Sequence, residues 1–335
     1  MSGKKPSHCW ARRGGNAGHA RDDRCRGRVT DLISGAEHIV FVSSLVITDA
    51  EIIKLMERKS RDGVRFYLFT ATQARIAHDS GMEFPRSERG ACNGALERLS
   101  KHALIRSSLG THAKVVLADP LHDPRGLLLT MDVTAGCLDG GRGMAVDLGR
   151  SEAINANDIM RYLFWECAES EMIRPGGAVK CRPLGAARQA GGRALLQTAP
   201  GITTIRDGID RLLGRNPSKV VVANPLWDPK SPVIGRLCSM SEKGADVTVI
   251  TRKGGAMFPL AKMQDAGIRV AGFEKLHARA VSTEYEAIVM SSNMDRNGME
   301  EGLELGIRLY KDRAREIADR LGEWAGAPEF ELVPE

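Results

Sequence analysis

The sequence predicts an α/β protein of two pseudo-symmetric lobes, each a mostly covered mixed β-sheet flanked by helices. Three observations carry this expectation. Strand-like apolar runs alternate with helix-like runs along the 335 residues. The same order of elements occurs twice. Each copy also contains a short phrase with a histidine and a cation two positions apart, Thr111-His112-Ala113-Lys114-Val115-Val116-Leu117 and Leu276-His277-Ala278-Arg279-Ala280-Val281. Residues two apart on a strand project from one face. If the halves pack face to face, two imidazoles and two cations form a single phosphate-handling site.

Residues 1–28 carry Lys4, Lys5, Arg12, Arg13, Arg21, Arg24, Arg26 and Arg28 against Asp22 and Asp23. They read as a basic, flexible tail, able to follow a phosphate backbone. The first lobe, 29–173, starts with an amphipathic helix from Val29 to Ser34. The run His38-Ile39-Val40-Phe41-Val42 is a strand, Asp49 to Ser60 a helix, Asp62-Gly63 a turn and Val64 to Phe69 a strand. The second lobe, 193–335, repeats the order: a helix over Ile205 to Leu213, a strand at Val220-Val221-Val222, a helix ending near Lys243, a turn at Gly244 and a strand at Val247 to Ile250. Gly63 pairs with Gly244 at the same offset as Thr70 with Thr251, whereas the two histidines are closer together. The first half therefore holds extra residues within 71–110, where Gly81 to Arg86 reads as a loop. A further strand follows each histidine phrase, Gly126 to Thr130 and Ala287 to Ser291, and a helix closes each half, Asn157 to Glu169 and Arg313 to Trp324. Trp165 and Trp324 occupy equivalent places in those helices and are expected to pack on the sheets. Residues 174–192, rich in Gly, Pro and Ala, are the connector.

Composition narrows the function classes. Lys plus Arg total 48 against 42 for Asp plus Glu, a net charge of +6 that favours an anionic partner. No apolar run reaches the roughly 20 residues that span a bilayer, and no secretory h-region is visible. A soluble, cytoplasmic protein is expected. The seven cysteines are scattered without a C-x-x-C pair, so neither a disulfide framework nor a zinc site is expected. His8, Cys9, His19 and Cys25 match no metal-ligand spacing. His38, His78, His102 and His122 read as surface residues, and the glycine pairs at 140–141 and 254–255 as turns.

The duplicated phrases resemble the phospholipase D superfamily, whose signature is H-x-K-x4-D, then a G-S-x-N-like turn and a later acidic residue. The second half has His277-x-Arg279, Glu284 at the Asp position, Ser291-Ser292-Asn293 and Glu304-Leu305-Gly306. The first half has His112-x-Lys114, Asp119, Thr130-Met131-Asp132 and Asp147-Leu148-Gly149. Two departures stand out. Arg279 replaces Lys with a planar fork, and Asp132 replaces Asn with a negative charge. The alignment of the first acidic position is open: Met144-Ala145-Val146 also fits against Glu304-Leu305-Gly306, and Asp147 is preferred on chemical grounds.

The resemblance implies a phosphodiesterase that uses no metal and no cofactor. His112 would attack phosphorus to give a phosphohistidine, and His277 would protonate the leaving oxygen and then activate water. Lys114 and Arg279 would hold the non-bridging oxygens. Glu304 and Asp147 would each bond an imidazole Nδ1–H across the lobe interface. Asn293 and Asp132 would line the phosphate pocket, with Thr130, Ser291 and Ser292 as further donors. Asp119 and Glu284 read as structural. With the basic tail, nucleic acid is the expected partner, DNA before RNA, and a nuclease or DNA phosphodiesterase the expected function. A soluble phospholipase D or phosphatidyl transferase, and a catalytically silent nucleic-acid-binding member of the superfamily, are the alternatives. Both signature copies lie on one chain, so a monomer is expected.

Overall fold

The computed structural model describes residues 8–13, 24–72, 89–174, 177–183, 185, 192–254 and 256–335. Strand β1 (His8–Arg12) and helix α1 (Arg24–Ser34) lead into β2 (Ile39–Ser43), α2 (Ala50–Arg61) and β3 (Arg65–Phe69), the expected strand-helix-strand unit. Helix α3 (Arg89–Leu99), β4 (Ala103–Ser107), β5 (Val115–Ala118), β6 (Arg125–Leu129), α4 (Ala135–Leu138), β7 (Ala145–Leu148), α5 (Arg150–Glu166), β8 (Ser170–Arg174) and β9 (Gly177–Lys180) follow. The second half runs β10 (Leu195–Ala199), β11 (Ile202–Thr203), α6 (Thr204–Leu213), β12 (Lys219–Ala223), α7 (Pro232–Glu242), β13 (Asp246–Arg252), α8 (Met257–Asp265), β14 (Arg269–Phe273), β15 (Ala280–Thr283) and β16 (Glu286–Met290). A π-helical turn (Asn297–Glu301) then precedes β17 (Glu304–Tyr310), α9 (Lys311–Gly326) and β18 (Phe330–Pro334).

Local chemistry explains these boundaries. Asp49 caps α2, its carboxylate accepting the Glu51 and Ile52 N–H groups at 3.1 and 2.9 Å, and Ile52, Ile53, Leu55 and Met56 form the buried stripe. Gly63 and Gly244, paired in the duplicated sequence, both turn the chain out of a helix with positive φ, 96° and 93°.

Two mixed sheets result, ordered β7-β6-β5-β2-β3-β4-β8-β9 and β1-β18-β14-β13-β12-β15-β16-β17-β10-β11. In each, three adjacent strands, β2-β3-β4 and β12-β13-β14, are parallel. The next strand outward, β5 or β15, pairs antiparallel. The strands bury both faces. In β2, Phe41 points into an apolar layer shared by the two sheets, while Val40 and Val42 point into the outer layer under α1 and α2. The shared layer takes Val115, Leu128 and Phe164 from the first half and Ile250, Phe273, Val289 and Leu305 from the second. This layer puts the two histidine segments at one seam.

The N-terminal segment departs from the expected flexible tail. β1 pairs antiparallel with β18 at the edge of the second sheet, and α1 begins at Arg24. Arg13 pairs with Glu331, and Arg26 with Asp49 and Asp139. Arg28 pairs with Asp147 at 2.6 Å. Residues 14–23, like the expected loop 81–86 and His78, lie outside the described residues. Within the expected connector, Gly177–Lys180 forms a strand on β8. Trp324 packs against the shared core as expected, but Trp165 is 44 % exposed. The Arg106 guanidinium lies 4.3 Å from its ring centroid, and that cation–π contact on the surface replaces core packing. His38 and His122 are exposed, their rings 4.3 Å apart and tilted by 41°. No helix among the described residues is long and apolar enough to cross a membrane.

Asp119 and Glu284 end the strands that carry the histidine segments. Asp119 accepts the N–H groups of Glu37, His38 and Ile39 at 2.7–2.9 Å, and Glu284 accepts from Ser218 N, Ser218 Oγ and Lys219 N. Both tie the entry of a central strand to the exit of its neighbour. Burial opposes the charge of Asp119, but the three N–H donors and Arg125 outweigh it and hold its carboxyl below the usual range. Asp119→Ala leaves those donors without their acceptor and is expected to cost about 2–4 kcal/mol in denaturant unfolding. Because the folded-state value is depressed, this contribution is present at neutral pH and disappears as pH falls through the carboxylate range. An unchanged midpoint in Asp119→Ala would remove the structural assignment.

Candidate active site at the seam of the two sheets

Each histidine precedes its strand and crosses to the other sheet. The backbone N–H groups of His112 and Ala113 donate to Leu303 O at 3.1 and 2.7 Å, and those of His277 and Ala278 to Arg142 O at 2.9 and 2.8 Å. The pairs Thr111 with Leu303 and Leu276 with Arg142 form the matching parallel bridges. This reciprocal crossing is the molecular form of the sequence duplication. It also brings the cations in: Lys114 is fully buried and donates to His112 O at 3.0 Å. Arg279 donates to His277 O at 3.2 Å, to Asn293 Oδ1 at 2.6 Å and to the Thr130 carbonyl of the other half.

His112 and Glu304 meet across the seam. His112 Nδ1 lies 2.7 Å from Glu304 Oε1. The Glu304 side chain is 1 % exposed, and Ser291 Oγ donates to its other oxygen. Burial opposes its charge, yet His112, Lys114 and the Ser291 hydroxyl outweigh burial and hold the carboxyl below its ordinary value. An ionised carboxylate only accepts. His112 therefore carries a proton on Nδ1, and in the neutral ring it is Nε2 that keeps the free lone pair.

Among the described residues the second histidine has no carboxylate partner, which corrects the expectation for Asp147. Asp147 is 81 % exposed and pairs with Arg28, because its position on β7 turns it to solvent. The open alignment is decided by backbone pairing. Thr130 N donates to Met144 O and Ser291 N to Leu305 O, so Met144 corresponds to Leu305 and Gly143 to Glu304. Neither candidate carboxyl position was right. A side chain on Gly143 would meet Met131.

Three residues not singled out for the site surround His277 instead. Arg252 Nη2 donates to Leu276 O at 2.9 Å and lies 3.4 Å from His277 Nδ1. Cys137 Sγ lies 3.6 Å from His277 Nε2, and burial pushes this thiol above its ordinary value, keeping it neutral. Gly141 abuts the ring so closely that a Cβ there would come within 2.5 Å of His277 Cδ2. Gly141 is thus more than a turn residue. The signal for Arg252 was present in the sequence: Thr70-Ala71 and Thr251-Arg252 are matched, so a small residue in one half is a cation in the other. Burial, Arg252 and Arg279 together lower His277 from 6.5 to about 4, with Asp132 the opposing influence.

Other expected residues are present with altered duties. Asp132 accepts from Ser44 Oγ, Leu45 N and Val46 N at 2.9–3.3 Å and sits 3.8 Å from Lys114 Nζ. It knits the loop after β2 and balances the buried ammonium. Burial opposes its charge, but Lys114, His112 and Ser44 prevail and hold it low. The expected hydroxyl donors are already engaged: Thr130 Oγ1 accepts from Met144 N at 2.9 Å, and Ser292 Oγ donates to Gly298 O at 2.6 Å. Ser291 serves Glu304. These hydroxyls build the walls and do not aim at a ligand. Among the described residues no group of three His, Cys, Asp or Glu could hold a metal ion.

Two mixed sheets joined face to face, with a histidine-cation segment of each crossing to the other, match the fold that the resemblance to the phospholipase D superfamily implies. The chain is similar to phosphatidylserine synthase of Haemophilus influenzae Rd KW20, with a TM-score of 0.66 and 10 % identity over 93 % of this chain and 86 % of that one. It is also similar to polyphosphate kinase from Porphyromonas gingivalis, with a TM-score of 0.57 and 17 % identity over 96 % of this chain and 50 % of that one. The chain therefore spans about half the length of that kinase. No protein-family model and no curated protein sequence matches it.

His277 is expected to titrate well below the ordinary histidine range. In an NMR titration of ring protons on labelled protein, His277 should remain neutral down to about pH 4, and Arg252→Ala should raise its midpoint. Unfolded His277 binds its proton near 6.5, so its contribution to stability is complete above that pH and declines as pH drops towards 4. A His277 midpoint at or above 6.5 would contradict the electrostatic account.

Proposed function

We propose that this protein is a phosphotransfer enzyme in which His112 takes a phosphoryl-centred group from a donor as a covalent phosphohistidine and passes it to water or another acceptor. The contact between His112 Nδ1 and the ionised Glu304 carries this reading, because it fixes the tautomer and makes Nε2 the nitrogen that attacks from the neutral ring. Lys114 and Arg279 lie beside the two histidines and stabilise negative charge on the oxygens at phosphorus. Lys114, Arg279 and Arg252 against Asp132 and Glu304 leave the seam with an excess of positive charge, which suits an anionic substrate. The similar structures are named as a synthase and a kinase, which supports group transfer as much as hydrolysis.

A nuclease acting on DNA is one form of this reading, and a phosphatidyl transferase another. The basic N-terminus gave the nuclease its support, and three of its cations, Arg13, Arg26 and Arg28, are neutralised within the chain. The proposal therefore centres on the transfer step at His112. Incubation with labelled phosphate donors, nucleic acid and phospholipid among them, followed by peptide mapping, should locate an acid-labile adduct on His112. His112→Ala should form none, and Glu304→Gln should slow its formation by about 10²–10⁴-fold. An adduct that persists in His112→Ala would refute the assignment.

A further inference from the structure

The two halves match in backbone and differ in what faces each imidazole. His112 has Glu304, whereas the corresponding place beside His277 is Gly143. His277 Nδ1 instead faces Arg252, where the first half has Ala71. A guanidinium only donates. His277 Nδ1 must then accept, and the ring proton sits on Nε2, next to the neutral thiol of Cys137. The charged groups facing this ring are Arg252 from β13, Arg279 and Lys114 from the segments before β15 and β5, and Asp132 from the loop after β6. Cations outnumber the carboxylate three to one. A second proton on this imidazole is therefore strongly disfavoured at neutral pH.

A phosphodiester with an alcohol leaving group needs that second proton, since an alkoxide is a poor leaving group. Here the position that would supply it holds a neutral ring and a fixed cation. Building on the phosphohistidine reading, we infer that the site is made for donors whose leaving oxygen departs as a stable anion, phosphoanhydrides foremost, and not for alkyl phosphodiesters. In the step, the His112 Nε2 lone pair forms the N–P bond. The P–O bond to the leaving group breaks, and its electron pair stays on the departing oxygen. No proton passes to that oxygen: the His277 Nε2–H donates a hydrogen bond, and Lys114, Arg279 and Arg252 balance the charge. The His112 Nδ1 proton stays on the ring, hydrogen-bonded to the Glu304 carboxylate. Arg252 acts as a positioning residue through His277, and His277 as a neutral hydrogen-bond donor. This replaces the expected role of His277 as the general acid.

The test compares leaving groups of similar shape, methyl para-nitrophenyl phosphate against methyl benzyl phosphate, together with inorganic tripolyphosphate and ATP. The readouts are the His112 adduct by mass spectrometry and kcat/KM. The wild type should form the adduct from the nitrophenyl ester and from at least one anhydride, and should disfavour the benzyl ester by at least about 10²-fold beyond the ratio of their uncatalysed rates, the usual worth of a general acid. Arg252→Ala, a substitution that the first half already carries as Ala71, should narrow that gap about tenfold. It should also give the benzyl reaction a limb that falls as pH rises through the ordinary histidine range. Adduct formation from the benzyl ester without the extra penalty, or an Arg252→Ala gap equal to the wild-type one, overturns this inference and leaves the phosphohistidine reading standing. Absence of a His112 adduct from every donor overturns both.

Discussion

The contact on which the site depends is the hydrogen-bonded pair of His112 and Glu304, one residue from each half of the chain, meeting at 2.7 Å in the buried seam. A carboxylate removed from water is costly unless several partners compensate it. Here the imidazole, the Ser291 hydroxyl and the nearby Lys114 do so. Each of those partners is delivered by the fold. Ser291 follows β16, Glu304 opens β17, and His112 reaches them because its backbone bonds Leu303 O. The pair therefore reports that the two sheets are correctly docked, as well as fixing the tautomer of His112.

Approximate two-fold symmetry makes this possible, and its local failure defines the chemistry. Backbone relations survive the duplication closely: the crossing hydrogen bonds, the bonds from Thr130 and Ser291 across to the last strand, and the carboxylates of Asp119 and Glu284 holding strand entries all recur. Side chains diverge where the imidazoles are served. Glu304 in one half corresponds to Gly143 in the other, and Arg252 to Ala71. One imidazole is bound to an anion and the other to a cation, so the two rings cannot exchange roles. The asymmetry is electrostatic in origin and needs no difference in backbone path.

Buried charge also explains which residues serve the walls. Lys114 and Arg279 are both nearly inaccessible, and burial lowers the proton affinity of each while Asp132 and Glu304 support their charge. Asp132, an unexpected charge in comparison with its counterpart Asn293, is thus the counterion of Lys114 and a brace for the Ser44–Val46 turn. Thr130, Ser291 and Ser292 saturate backbone or carboxylate partners, as buried hydroxyls must.

The alternation of strands and helices, the duplication, both histidine-cation pairs, Glu304 and the structural duty of Asp119 and Glu284 were legible in the chain itself. They are encoded by local periodicity and by short spacings, which hold wherever the segment lies. The partner of His277 was not legible. Asp147 sits four residues beyond Gly143, where β7 turns it to solvent, and only the hydrogen-bond ladder equates Gly143 with Glu304. Arg252, Cys137 and Gly141 lie far from His277 in sequence or carry no motif, and packing alone brings them to its ring. Trp165 and the N-terminal strand were misread for the same reason. Sequence determined which chemical groups the protein owns and the elements that carry them. Tertiary structure decided which of those groups meet, because electrostatic partnership depends on distance in space and on what excludes water between them.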